Sequence, residues 1–324
     1  MDKLLEVDGL KTYFYTGEGV LPAVDGISFS LEEGEILAIV GESGCGKSVT
    51  SMSLLNLISR PGKIVDGKIL YKNENLLEKS GEEMRRIRGN EISMIFQEPV
   101  ASLNPVFKIG RQIGETIMFH RNVSKKDANI RALELLSSVG IPDPLSVMEK
   151  YPHQLSGGMC QRVMISIALA CEPEILIADE PTTSLDVTIQ AQILRLLKDL
   201  KEKRGTSIIL ITHDMGVVAQ MADNVMVMYA GQAVEYAGVG EIFANPSHPY
   251  TLGLLNSIPH INEEQEALYN IKGMVPGMGE YPQGCRFSPR CEYASEKCII
   301  DPPELVEMGD FHRVRCHKPL KKGR

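Results

Sequence analysis

An α/β fold is expected for the first 240 or so residues, on two observations. Short aliphatic runs alternate with longer amphipathic stretches, and a glycine-rich loop stands between one such run and a helical stretch. Strands are expected at 36–40, 92–96, 175–178, 207–212 and 225–229, the short runs richest in aliphatic residues. Between Asp186 and Gly205 the apolar Ile189, Ile193, Leu197 and Leu200 recur at helical spacing, and Gly205 is a natural stop, so a surface helix packed on the sheet is expected there. From about 98 to 154 strand signals are weak and the periodicity is helical, strongest from Arg131 to Val139, which reads as a helical insertion. After about 245 the texture changes: Pro and Gly become frequent, periodicity fades, and four of the seven cysteines fall in the last 40 residues. That tail is expected to be a separate appendage with too little aliphatic content for a large core of its own.

The 324 residues, 43% of them hydrophobic, suffice to bury a core in one large or two modest domains. A net charge of −8 supplies no basic footprint, so nucleic acid is not an expected partner. No apolar run approaches the roughly 20 residues that cross a bilayer, and the first residues lack a basic start followed by an apolar stretch and a cleavage site. The chain is expected in the cytosol, with any membrane role supplied through a partner. In that reducing compartment the cysteines are expected to be thiols or metal ligands rather than disulfides.

Residues 41–48 read GESGCGKS, which satisfies the phosphate-loop pattern GxxxxGK[ST], and they follow the strand ILAIV and precede a helical run from 48 to 57. Such a loop turns its backbone N–H groups toward phosphates, and Gly41, Gly44 and Gly46 permit the close approach. Lys47 brings a positive charge to the phosphates and the Ser48 hydroxyl is a magnesium ligand. Ser43, Cys45 and Val49 complete the expected nucleotide contacts, Cys45 through its backbone. The run ILIADE at 175–180 is a buried strand ending in two acids: Asp179 is the candidate for magnesium, directly or through water, and Glu180 for polarising the attacking water. Between them, LSGGMCQR at 155–162 precedes a helical run to Cys171, and Ser156 with Gly157 and Gly158 opens that helix with free N–H groups, a second phosphate site.

In this order the phosphate loop, LSGGMCQR, ILIADEPTTSLD and a later His213 resemble the nucleotide-binding domain of ABC transporters, over about residues 4–240. The resemblance implies an α/β nucleotide-binding domain at 1–244, with a helical subdomain at about 98–170, that hydrolyses ATP with magnesium. It gives Gln97 the role of contacting magnesium and water and of sensing the membrane partner, and His213 that of contacting the γ-phosphate. Ser184, Leu185 and Asp186 match the family's D-loop, and Tyr13, beside Phe14 and Tyr15, stands where the family stacks an aromatic on adenine. Arg60, just past the helix after the phosphate loop, is a further candidate for the nucleotide.

The segment NPSHPYTLGLL at 245–255, with VPGMGEYPQGCRFSPRC after it, is similar to the C-terminal extension of dipeptide and oligopeptide importer ATPases. Cys285, Cys291, Cys298 and Cys316 are separated by five, six and seventeen residues, a spacing without paired CxxC knuckles that leaves zinc and an iron-sulfur cluster both open. The resemblance favours a 4Fe-4S cluster in a 245–324 extension, and because that extension has little aliphatic core the cluster is expected to serve mainly as its staple. It also implies a second ABC ATPase subunit as a heterodimeric partner, two transmembrane permease subunits, an extracytoplasmic substrate-binding protein, and a peripheral place on the cytoplasmic face of the cell membrane. The competing readings are a nickel-importer ATPase of the same family and a soluble ABC ATPase outside transport. Against the latter, only 107 residues separate Lys47 from Leu155, with no heptads for the long coiled coil of repair ATPases.

Overall fold

The computed structural model describes residues 3–17, 19–183, 185–258, 270–309 and 311–320. They form two units, one from residues 1–78 with 211–324 and the other from residues 79–210.

The first unit begins with two fourteen-residue strands, β1 (Lys3–Thr16) and β2 (Gly19–Glu32), paired antiparallel with Leu10 opposite Ile27 and Val7 opposite Phe29. On β2 the buried Ile27, Phe29 and Leu31 alternate with more exposed neighbours, the two-residue period of a sheet with one face on a core. These strands escape the sequence reading because their apolar runs are broken, by shifts in register and by left-handed Gly9 and Gly26 (φ 58° and 74°). Next come β3 (Ile36–Val40), buried at every residue, and α1 (Lys47–Leu54), which ends earlier than expected. The strands β4 (Gly62–Tyr71) and β5 (Glu74–Asn75) complete an antiparallel sheet of order β2-β1-β4-β5.

The second unit opens with α2 (Gly81–Ile87), capped by a reciprocal Ser80–Glu83 box, and β6 (Ile92–Ile95). Five helices follow: α3 (Pro99–Ser102), α4 (Ile109–His120), α5 (Lys125–Ser138), α6 (Pro144–Met148) and α7 (Gly157–Ala168). On α4 the buried Ile109, Ile113 and Ile117 fall four residues apart, one face of a helix. Next, β7 (Ile175–Asp179) pairs parallel with β6, Ile92 opposite Ile175. The helix α8 (Val187–Arg204) runs between the expected signals: Asp186 caps its start by accepting from Ile189 N, and Gly205 ends it at φ 67°. It buries Ile193, Leu194, Leu197 and Leu200. The chain leaves this unit through β8 (Ser207–Thr212).

Back in the first unit are α9 (Met215–Met221), β9 (Asn224–Tyr229), β10 (Gln232–Gly238), α10 (Val239–Ala244) and α11 (Pro249–Asn256). The last elements are α12 (Glu296–Ile300), β11 (Val306–Gly309) and β12 (His312–Val314). β3 lies parallel to β9, with Val40 opposite Val227, and the strand order in this unit is β11-β12-β10-β9-β3. The residues after 245 share this core: Tyr250, Ile271 and Phe287 are buried in one cluster with Val40, Val227 and Tyr229, and β12 pairs with β10. Aliphatic residues are few in the tail, so it packs by aromatics, with Tyr229, Tyr250 and Phe287 in mutual ring contact.

Candidate active site

In the first unit the phosphate loop joins β3 to α1, and its glycines are there for geometry. A Cβ on Gly41 would lie 2.2 Å from the Met228 carbonyl oxygen, and one on Gly46, at φ 102°, 2.3 Å from that of Ala23. Ser43 and Gly44 are exposed, Ser48 and Val49 are half-buried, and Cys45 is fully buried, its thiol pushed up by burial while neighbouring Lys47 opposes the shift. The Lys47 ammonium is buried inside the loop, donating to the carbonyl oxygens of Gly41 (2.7 Å) and Glu42 (3.0 Å). That holds a positive charge inside the loop.

Two residues from the C-terminal part of the unit anchor the loop's second residue. Glu42 N donates to the Tyr250 hydroxyl at 2.8 Å, and the Glu42 carboxylate receives Arg290 on both oxygens, at 2.6 and 3.0 Å. Beside them Gly231 N donates to the Cys45 carbonyl at 2.9 Å. Tyr13 is half-buried, and its hydroxyl donates to Asp25 Oδ1 at 2.8 Å; burial first and that bond second push the phenol up to about 12. The other Asp25 oxygen receives Arg286. Phe14 lies against Gly62, and Tyr15 is 49% exposed. Arg60 is exposed after α1, and His213 is exposed beyond β8, where Asp214 caps α9.

The second unit holds the other predicted residues. Asp179 is buried at the end of β7, and Glu180 follows it at φ 48°, a left-handed conformation that costs a non-glycine residue about 1 kcal/mol or more and is kept where the surroundings enforce it. Gln97 Nε2 donates to Glu180 Oε2 at 3.2 Å, and the Thr183 hydroxyl donates to the same oxygen at 2.8 Å. Ser156 caps α7 by accepting from Met159 N at 3.3 Å, so the Gly157 and Gly158 backbone opens the helix as expected, although the helix ends at Ala168 rather than Cys171. A Cβ on Gly158 would lie 3.6 Å from Leu185, so the LSGG turn and the D-loop are neighbours. Ser184 lies outside the described residues.

Cys285, Cys291, Cys298 and Cys316 all line one small cavity of about 10 Å³, with His248, Phe287 and Tyr293 around it. Cys285 N donates to the Cys298 carbonyl at 2.8 Å, and Gly284 leaves room for that crossing. Burial, with added repulsion from the other thiols, pushes Cys316 up to about 11. Yet among the described residues no group of three or more His, Cys, Asp or Glu is arranged to hold a metal ion. The four thiols thus share one cavity, but the expected metal site is not supported by their arrangement.

Sequence reasoning missed Asp25, Glu42, Tyr250, Arg286 and Arg290. The one signal for them was the interleaving of arginines with cysteines in CRFSPRC.

The family profile described as "ABC transporter" matches residues 24–183, and that described as "Oligopeptide/dipeptide transporter, C-terminal region" matches residues 234–298. The chain is similar to the oligopeptide transport ATP-binding protein AppD of Bacillus subtilis, 55% identical over 98% of this chain and 97% of that one. It is similar to the dipeptide transport ATP-binding protein DppD of Escherichia coli, at 47% identity over the same shares. Among solved structures, it resembles the ATP-binding cassette MJ0796 in a dimeric post-hydrolysis state bound to ADP and Pi, with TM-score 0.67 and 27% identity over 72% of this chain and 98% of that one.

Proposed function

The chain belongs to the ABC transporter family, and from that we infer that it is the ATP-binding subunit of an importer that couples ATP hydrolysis to uptake of di- or oligopeptides. The likeness to peptide-transport ATPases over 98% of the chain carries this reading, because it takes in the C-terminal region along with the ATPase motifs.

Lys47 and the loop N–H groups bind the phosphates, and Ser43 to Val49 form their cradle. The Tyr13 ring, steadied by its bond to Asp25, stacks on adenine. The Ser48 hydroxyl, the Asp179 carboxylate and the Gln97 amide oxygen are hard oxygen donors of the kind magnesium takes. When bound, magnesium offsets phosphate charge as it develops. Gln97 donates through its nitrogen to Glu180, which turns its oxygen free for this task and fixes the carboxylate that orients the attacking water. His213 contacts the γ-phosphate, and Ser156 with Gly158 faces the nucleotide held by a paired subunit. The pairing is with a second, related ATPase, on the cytoplasmic face of the membrane under two permease subunits that receive peptide from a binding protein. No described helix is long and apolar enough to cross a membrane, so the spanning helices come from those partners. The four cysteines, which line one cavity, are the thiolates that would hold a 4Fe-4S cluster, as the resemblance of this region to the peptide-importer extension implies.

Purified with its partners, Glu180→Gln should retain ATP binding and lose about 100-fold or more in turnover, the usual scale for a general base. Lys47→Ala should instead weaken binding itself. Equal turnover by Glu180→Gln and wild type would refute the assignment.

A further inference from the structure

We propose that Arg290 and Arg286 are positioning residues of the nucleotide site, each neutralising an acid that would otherwise face the incoming nucleotide. The inference deepens the ATPase reading and rests on it.

A phosphate loop binds a polyanion, so a carboxylate at its second position is a liability: Glu42 adds negative charge where phosphates must come. The structure meets it with Arg290, whose guanidinium spans both carboxylate oxygens while its own side chain is only 5% exposed. The remaining donors of Arg290 are spent on the carbonyl oxygens of Ile271 (3.3 Å) and Lys272 (3.0 Å) and on the Tyr229 hydroxyl (3.4 Å), so its place is determined from several sides. What Arg290 holds matters to Lys47, because the Lys47 ammonium rests on the Glu42 carbonyl. Tyr250 fixes the same residue by its N–H. Glu42 is therefore fixed at N–H, carbonyl and carboxylate, and an ordered loop binds without losing freedom on binding.

Arg286 repeats the arrangement at the adenine side. It pairs with Asp25, which accepts from the Tyr13 hydroxyl, and donates to the Ala230 carbonyl at 2.6 Å, next to the Gly231 N–H that holds Cys45. Its guanidinium also lies over the Tyr281 ring, 4.1 Å from the centroid. Each arginine follows or precedes a cysteine of the four-thiol cavity, so the order of the Cys285–Cys291 segment is transmitted to both ends of the nucleotide site.

The test is binding of mant-ATP with magnesium to the full chain, which has no tryptophan to interfere. Arg290→Gln should weaken binding about tenfold, the worth of one strong charged hydrogen bond, and Arg290→Lys should restore part of it. Adding Glu42→Gln to Arg290→Gln should recover most of the loss, since the unpaired charge is then gone, whereas a purely structural role for Arg290 would leave the double variant at least as weak as the single. Glu42→Gln alone, which removes the acid together with its pair, sets the affinity that the double variant should approach. If Arg290→Gln fails to fold by its thermal transition, Arg290→Lys with and without Glu42→Gln decides in its place. Wild-type affinity in Arg290→Gln, or no recovery in the double variant, would overturn the inference alone. A wild-type chain that binds no mant-ATP would overturn the ATPase reading and this inference with it.

Discussion

At Gly46 a single carbon separates a phosphate site from a clash. The left-handed backbone and the Ala23 carbonyl oxygen 2.3 Å from any Cβ leave alanine no accommodation, because the clashing atom is backbone and not the far end of a flexible side chain. Gly44 is also left-handed, at φ 79°, but a Cβ there meets nothing within 4 Å. Gly46→Ala should therefore abolish ATP binding and lower stability by about 2 kcal/mol or more, while Gly44→Ala should cost about 1 kcal/mol of backbone strain and leave the fold intact. Denaturant unfolding together with nucleotide titration separates the two outcomes. The sequence made the loop residues legible because their chemistry is local: glycine, lysine and serine within eight positions. It hid Arg290 and Arg286, whose carboxylate partners lie 248 and 261 positions away, a distance no periodicity carries.

Among the elements, β3, β7 and β8 were legible because they are buried on every side and so read as unbroken aliphatic runs. The long β1 and β2 were not, since bulges and half-exposed faces interrupt their alternation. α8 was legible at both ends because its signals are a carboxylate cap and a left-handed glycine, each a matter of one residue. The segment around the cysteines shows the reverse case. Its composition suggested an appendage stapled for its own sake, and its contacts run instead to the phosphate loop and to Asp25. Replacing Cys298, which is buried and whose carbonyl receives Cys285 N, by serine should loosen that segment and weaken ATP binding severalfold as well as opening new protease sites beyond 280. A Cys298→Ser chain that is cut there yet binds mant-ATP as wild type does would separate the cysteines from the nucleotide site. Anaerobic colour and iron content, read on the same preparation, report the cluster independently of either.

For the molecule as a whole, the proposed pairing with a second ATPase rests on there being one phosphate loop and one LSGG turn in the sequence, a single set of motifs. In isolation the subunit should sediment as a monomer or a weak dimer with low ATPase activity, and co-expression with its partner ATPase and permeases should raise hydrolysis about tenfold or more and carry it to the membrane. A tight, fully active homodimer in sedimentation would exclude the heteromeric assembly. The order of the chain has another consequence. β3 emerges early in synthesis, yet its parallel neighbour β9 is 187 residues further on, and the residues that fix Glu42 come later still, at 250 and 290. At a translation rate of about 5 to 20 residues per second, the phosphate loop stays without its support for ten seconds or more. Nucleotide should therefore report on completion: a ribosome-bound chain halted before 290 carries every ATP motif and, for want of the Arg290–Glu42 pair, should bind about tenfold or more weakly than the finished chain.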